Sequence, residues 1–472
     1  MSTPLVPGTR KGFQWRIQLS EKRIMKPYAV IGAGPMGLCT VRNLIKHGIP
    51  CVGFEIHSEV GGLWDIDSPT STMYESAHLI SSKRMTEFAE FPMGDDVALF
   101  PHHREMKAYF QAYAREFDLY RHYEFETEVV RCEREGDDWH ITTRSQGQEQ
   151  TRVFGGLLIA NGTLHHPNMP KLPGEFSGEL LHSADYRDPA IFEGKRVLLV
   201  GCGNSGADIA VDAAHRAKDV DISLRRGYYF LPKFIGGKAT DALGGKIKLP
   251  RFIQQRISAA ISKLMLGTPE QYGLPKPDYK MFESHPVINS LILHHIGHGD
   301  IHVRKDIAAV EGSSVTFVDG TSADYDMIVM ATGYKLHYPF IDRAHLNWES
   351  FAPRMYLNVF HPEYDNLFLM GMVEAAGLGW EGRNRQAEMV ALYIRQLAEG
   401  AGSARELQSV KQAQAGQRAD GGMKYLNLER MAYYVHKDTY LNAMAEHTED
   451  LRKDYKSFDA AVSLDATPIP AK

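Results

Sequence analysis

Short apolar runs, each followed by glycines and then by a helical period, recur along this 472-residue chain. Tyr28-Ala29-Val30-Ile31 and Val197-Leu198-Leu199-Val200 show no polar alternation, the mark of strands buried on both faces of a parallel sheet. A helical pattern follows each, Leu38 to His47 and Ala207 to Ala214. Second strands, Cys51-Val52-Gly53-Phe54 and Val220-Asp221-Ile222-Ser223-Leu224, come next. Further strand patterns lie at Phe125 to Cys132, at Trp139 to Thr143 and in Gly155-Gly156-Leu157-Leu158-Ile159-Ala160-Asn161-Gly162. Pro167, Pro170 and Pro173 mark a crossover. The apolar run Met327-Ile328-Val329-Met330-Ala331-Thr332-Gly333 is expected to rejoin the first sheet. This order predicts an α/β fold of two Rossmann-like dinucleotide-binding domains, the first discontinuous and the second inserted, with a helical insertion. The expected parts are an N-terminal extension over 1–25, a first domain over 26–165 and 321–415, a second over 166–320 with its helical insertion at 228–280, and a helical tail over 416–472.

The glycines between strand and helix give these units a chemistry. Gly32-Ala33-Gly34-Pro35-Met36-Gly37 and Gly201-Cys202-Gly203-Asn204-Ser205-Gly206 both fit G-x-G-x-x-G. The first glycine permits a tight turn, the second lets backbone approach a pyrophosphate, and the third allows close helix–strand packing. Each helix N-terminus then faces phosphate charge. At the end of the first unit's second strand stands Glu55, where a carboxylate accepts from ribose hydroxyls and repels a 2′-phosphate; FAD or NAD suits this site. The second unit's strand ends in Arg225-Arg226, whose guanidinium groups suit a 2′-phosphate, hence NADPH, unless the pair is a solvated strand end. Asp221 lies deeper and reads as a structural carboxylate. Gly61-Gly62-Leu63-Trp64 can let backbone pass close to a flat cofactor ring or be a simple turn.

Composition excludes several classes. A net charge of −5 gives no reason to invoke nucleic acid, and 43% hydrophobic with 24% charged residues is ordinary for a soluble domain. Cys39, Cys51, Cys132 and Cys202 form neither a C-x-x-C pair nor a zinc spacing, so no metal or disulfide framework is expected and a reducing, cytoplasmic compartment fits. No apolar run is long enough to span a membrane. The first residues carry Arg10, Lys11, Arg16, Lys22 and Arg23 against Glu21 alone, which fits a transit peptide, a disordered extension or a start at Met25.

Five motifs in order then resemble one family. Phe176-Ser177-Gly178-Glu179-Leu180-Leu181-His182-Ser183-Ala184-Asp185-Tyr186-Arg187 matches F-x-G-x-x-x-H-x-x-x-[YF]-[KR], the identifying sequence of the flavin-containing monooxygenases. Ala331-Thr332-Gly333-Tyr334 resembles their A-T-G-[YF] strand end, and Phe100-Pro101-His102-His103-Arg104-Glu105 and Ser284-His285-Pro286-Val287-Ile288-Asn289 are similar to family segments. The resemblance spans roughly residues 26 to 400 and is closest to the bacterial type II branch, with its looser choice between NADPH and NADH and some Baeyer–Villiger activity. It implies FAD in the first unit, NADPH in the second with NADP+ retained through turnover, and oxygen transfer from a C4a-hydroperoxyflavin to amines or sulfides. Ketones, or a flavin/NADPH oxidoreductase without oxygenation, are the alternatives. Besides the fingerprints, Glu55, Gly62, Leu63, Trp64, Arg225 and Arg226, the implied cofactor contacts are Lys83, Val129, Ala160, Thr332, Gly333 and Gln386, the last at the start of a helix aimed at the flavin ring. Many members carry T-N-x-x-K, with the Asn close to the flavin. Here Ile80 takes that place, so His78, Ser81, Ser82 or the nicotinamide amide must donate instead. His182 and Arg187 complete the catalytic candidates, His182 reading more as a coupler between domains than as an acid or base. A homodimer is the expected assembly.

Two surface features have bland alternatives. His294, His295 and His298 resemble a metal cluster without a carboxylate at matching spacing, so no metal is expected. Arg251 to Leu266 is basic and amphipathic, suited to an anionic membrane surface, a lid or a dimer contact. A pyridine nucleotide–disulfide oxidoreductase would need a redox cysteine pair that is absent, and a non-catalytic NADPH sensor would lack flavin colour.

Overall fold

The computed structural model describes residues 18–19, 23–243 and 251–455, so most of the expected N-terminal extension and the last part of the tail lie outside the described residues. The chain enters through strand β1 (Tyr28–Ile31), helix α1 (Pro35–Lys46) and strand β2 (Cys51–Phe54), then helix α2 (His103–Glu116) and the short β3 (Tyr123–Glu124). An antiparallel meander follows, β4 (Glu128–Glu135), β5 (Asp138–Ser145) and β6 (Gln148–Phe154), before β7 (Gly156–Ile159) returns beside β1. Every residue of β1 and β7 is buried, because the meander covers one face of the sheet and helices cover the other.

The chain then crosses into a second parallel sheet. Its elements are β8 (Glu179–His182), β9 (Arg196–Val200), α3 (Asn204–Ala214), β10 (Asp219–Ser223), α4 (Arg251–Leu266), α5 (Leu291–His298), β11 (His302–Arg304) and β12 (Met327–Met330). The order across this sheet is β8-β12-β9-β10-β11. The Met327–Met330 strand therefore does not rejoin the first sheet, as its position suggested; it pairs with β8 and β9. An all-apolar strand of four residues carries no mark of which parallel sheet receives it. The first sheet is closed instead by β13 (Leu367–Leu369) beside β7, giving the order β13-β7-β1-β2-β3. Helices α6 (Gly379–Glu399), α7 (Gly402–Ala413) and α8 (Lys437–Lys453) finish the chain, with residues of α1 and α6 sharing one buried apolar core.

Both passages between the sheets run side by side, since His166–Pro167 pairs antiparallel with Tyr334–Lys335. The 228–280 segment is only partly helical. Among its described residues it holds α4, a two-residue hairpin (Phe234–Ile235 with Lys238–Ala239) and short turns. No helix among the described residues is long and apolar enough to cross a membrane.

Candidate active site

The first fingerprint turns from β1 into α1 around three glycines that differ in what they face. Gly32 has φ +102°, and a Cβ there would lie 2.7 Å from the Ala160 carbonyl oxygen; one on Gly37 would run into the Gly32 carbonyl. Both glycines are demanded by the protein's own packing. Gly34 is not, since its φ is −69° and the nearest atom to a Cβ would be the Gly62 Cα at 3.6 Å. Gly34 caps α1 without a side-chain hydrogen bond and Pro35 occupies the first turn, which leaves the helix N-terminus without a side-chain cap, as an anion site requires. Met36 turns inward against Gly371.

Glu55 sits 5% exposed at the end of β2, accepting from the Ala33 N–H at 2.6 Å and the His57 N–H at 3.0 Å. Burial lifts its carboxyl above the ordinary range, against the pull of those two donors. Opposite stands Gly62, φ +57°, whose Cβ would be 2.9 Å from the Gly34 Cα. Leu63 and Trp64 are half-buried beside it, with Trp64 edge-on to Trp380 at 5.8 Å.

The second fingerprint repeats the pattern. A Cβ on Gly201 (φ +103°) would lie 2.6 Å from the Ala331 carbonyl oxygen, and one on Gly206 2.5 Å from the Gly201 carbonyl oxygen. Around Gly203, with φ −72°, a Cβ would meet nothing within 4 Å. Asn204 and Ser205 open α3, and Asn204 Oδ1 accepts from the Ile288 N–H at 2.7 Å. Arg225 is exposed with no ion pair among the described residues, and Arg226 beside it holds a buried, unpartnered Nη1. Asp221 is structural: it accepts from the Tyr325 hydroxyl and from Arg304 Nε, the latter at 2.7 Å. Of the strand end at Ala331, Gly333 (φ +83°) is open and Thr332 donates to the Asn168 carbonyl at 2.6 Å.

Between the two cradles runs residues 71–83, carrying most of the candidates for chemistry. His78 is exposed and contacts the Ser76 carbonyl through Nδ1 at 2.8 Å. Ser81 pairs with the Thr86 hydroxyl at 2.7 Å. Ser82 alone keeps a buried, unpartnered hydroxyl, while its N–H donates to Asp241 Oδ2 at 2.6 Å and Asp241 Oδ1 is buried without a partner. His182 is buried edge-on to Tyr334 and accepts from the Ala184 N–H through Nδ1; burial holds its pKa below the usual histidine value, so it stands neutral.

Four expected site residues are otherwise engaged. Lys83 Nζ donates to the Gly94 and Val97 carbonyls at 2.7 and 2.6 Å, holding that loop. Gln386 is fully buried between the Gly371 N–H and the Tyr440 hydroxyl, so its side chain presents no surface to a ring. Val129 packs into the core of the meander. Arg187 donates to the carbonyls of Ala184, Tyr186 and Ser71 at 2.6, 3.0 and 2.5 Å, the geometry of a staple between segments. Asp241, Asp208 and Asp212 went unnoticed in the sequence; only the i,i+4 spacing of the last two behind a fingerprint could have flagged them.

Residues 25–451 match the profile described as flavin-binding monooxygenase-like. The chain belongs to this family. Flavin-containing monooxygenase 3 of Oryctolagus cuniculus is 30% identical over 78% of this chain and 74% of its own, and flavin-containing monooxygenase 5 of Homo sapiens 31% over 76% and 70%. Among solved structures, S-allyl-L-cysteine S-oxygenase from Allium sativum aligns at TM-score 0.63 and 21% identity, covering 90% of this chain and 89% of that one. A steroid monooxygenase bound to NADP aligns at 0.68 and 19%, covering 92% and 98%. At those identities the likeness is one of fold. As a flavin-binding monooxygenase-like protein the chain is an enzyme whose cofactors are FAD and NADPH. Among the described residues no group of histidine, cysteine or carboxylate side chains is arranged to hold a metal; Asp300 accepts instead from His295 Nδ1 at 2.9 Å.

Proposed function

We propose that this protein binds FAD at the first fingerprint and NADPH at the second, and transfers one oxygen atom of O2 to soft nucleophiles, namely amines and sulfides. The observation that carries the assignment is the middle glycine of each fingerprint. Gly34 and Gly203 have ordinary φ values and room for a side chain, so what excludes a side chain is a ligand rather than the protein. Glu55 supports a ribose without a 2′-phosphate; Arg225, with no ion pair among the described residues, and Arg226, with its unpartnered Nη1, support a 2′-phosphate in the second cradle.

When bound, reduced FAD supplies the activated oxygen and NADPH the hydride that reduces it. The protein's part is to hold both nucleotides by their phosphates, to keep water from the reacting face, and to present a proton near the acceptor. The Ser82 hydroxyl is unpartnered but 1% exposed and presents no surface to a ligand, so the role that an Asn at Ile80 would have had falls to His78, the exposed candidate of the segment. Neutral His182 and the stapled Arg187 position the segments around it. Relatives named dimethylaniline monooxygenase (N-oxide-forming), about 30% identical, favour nitrogen as one acceptor.

Turnover of N,N-dimethylaniline, an alkyl aryl sulfide and a cyclic ketone, with NADPH consumption, product and H2O2 measured together, tests the proposal. N-oxide and sulfoxide accumulating in step with NADPH consumption are expected. A lactone as the dominant product would move the assignment to Baeyer–Villiger oxidation, and NADPH consumption yielding H2O2 alone would overturn oxygen transfer.

A further inference from the structure

Two carboxylates one turn apart on α3, Asp208 and Asp212, are tightly partnered, and neither cradle uses them. Asp208 accepts from the Tyr74 hydroxyl at 3.0 Å and from Asn289 Nδ2 at 2.5 Å. Asp212 Oδ2 accepts from Ser76 Oγ at 2.5 Å and from the Tyr186 hydroxyl at 2.7 Å. The Tyr74 and Tyr186 rings lie 5.4 Å apart, and Tyr186 stacks on Phe192. Burial raises the Asp208 carboxyl, while Asn289 and Tyr74 favour its charged form.

These contacts have an unusual topology. Tyr74, Ser76 and Ala77 precede the crossover at residue 166, so by sequence they belong to the first unit, yet Tyr74 and Ala77 are buried in the apolar core of the second. The same segment is tied back to the first cradle, where Ser71 Oγ donates to the Leu63 carbonyl at 2.5 Å beside Gly62. Arg187 Nη2 donates to the Ser71 carbonyl, and the Glu75 N–H donates to the Arg187 carbonyl at 2.9 Å. Residues 71–77 thus form a strap from the glycine pair of the first cradle to the flank of the helix whose N-terminus opens the second. The strap continues directly into His78–Ser82.

We propose that Asp208 and Asp212 are positioning residues, anchoring the 71–77 strap so that the nicotinamide nucleotide on α3 is held at a fixed distance and angle from the flavin in the first fold. The proposal rests on the assignment of NADPH to the second cradle. The carboxylates' hydrogen bonds go to Tyr74, Ser76, Tyr186 and Asn289 and not to the backbone of the fingerprint, so their contribution falls on the geometry of hydride transfer more than on nucleotide affinity. Displacements on the order of 1 Å at reacting atoms cost about a hundredfold in rate.

The test compares Asp212→Leu, Asp212→Asn and the milder Tyr74→Phe in FAD-loaded protein. Amide hydrogen exchange of residues 71–77 is measured, together with anaerobic flavin reduction over a range of NADPH concentrations, which separates the limiting rate from Kd. Asp212→Leu is expected to speed exchange of the strap about tenfold or more and to slow limiting reduction by a similar factor, with Kd within about threefold. Asp212→Asn keeps an acceptor oxygen and is expected within about threefold of the wild type on all three readouts. Tyr74→Phe, which removes one hydroxyl, shifts exchange and rate in the same direction and carries the test if Asp212→Leu does not fold. Faster exchange with unchanged reduction, a loss confined to Kd, or failure of Asp212→Asn to preserve the rate would overturn the strap. Failure of the wild type to bind NADPH would instead overturn the assignment of the second cradle, which the same titration reads separately.

Discussion

Gly201 and Gly206 leave no room for a methyl group, whereas Gly203 leaves ample room, and this difference separates packing from ligand binding within one motif. Gly203→Ala is therefore expected to keep the wild-type Tm while raising KM for NADPH and NADH alike, because both carry the pyrophosphate. Arg225→Ala is expected to raise KM for NADPH alone, by about tenfold or more, since a charge-assisted hydrogen bond contributes about 1.5–3 kcal/mol. Steady-state kinetics with both coenzymes check the pair; equal effects of Arg225→Ala on the two would remove it from the 2′-phosphate site. The positions of Glu55 and of the arginine pair just past a strand were legible, because each follows an apolar run that marks its own end. Lys83, Gln386 and Arg187 were not, because their partners (Gly94 and Val97, Tyr440, Ser71) come from loops or helices whose approach no local pattern encodes.

Among the elements, the strand–glycine–helix units were readable to within a few residues, since α1 and α3 begin at the fingerprints themselves. The Met327–Met330 strand joins the second sheet and not the first, a choice its residues do not encode because both sheets ask for the same apolar run. Helix α4 exposes Ile257, Leu264 and Met265 along one face, consistent with its amphipathic pattern, and nothing among the described residues covers that face. At the C-terminal end of α1, His47 is buried with both ring nitrogens unpartnered and lies edge-on to Tyr455. Burial and the neighbouring Lys46 push its pKa down to about 4. A depressed histidine contributes stability that is fully present above its unfolded pKa, about 6.5, and is lost as pH falls through the folded value. Tm is thus expected to fall between pH 6.5 and 4, and His47→Phe, keeping the ring contact without the titration, is expected to flatten that slope. A wild-type slope in the variant would exclude His47 as a contributor.

For the whole molecule, two dinucleotide folds are joined by paired linkers at His166–Pro167 and Tyr334–Lys335, and a strap from the first fold is embedded in the second. The twin folds were written in the sequence twice over, whereas the strap was invisible there, because Tyr74 and Ser76 meet Asp208 and Asp212 across more than a hundred residues of chain. The measurement that tests oxygen transfer most directly is turnover of a sulfide with NADPH under isotopically labelled dioxygen, followed by mass spectrometry of the product. One labelled oxygen atom per sulfoxide is predicted, with one NADPH consumed for each. Sulfoxide carrying oxygen from water, or NADPH oxidised with no labelled product, would contradict a monooxygenase acting through its two bound dinucleotides.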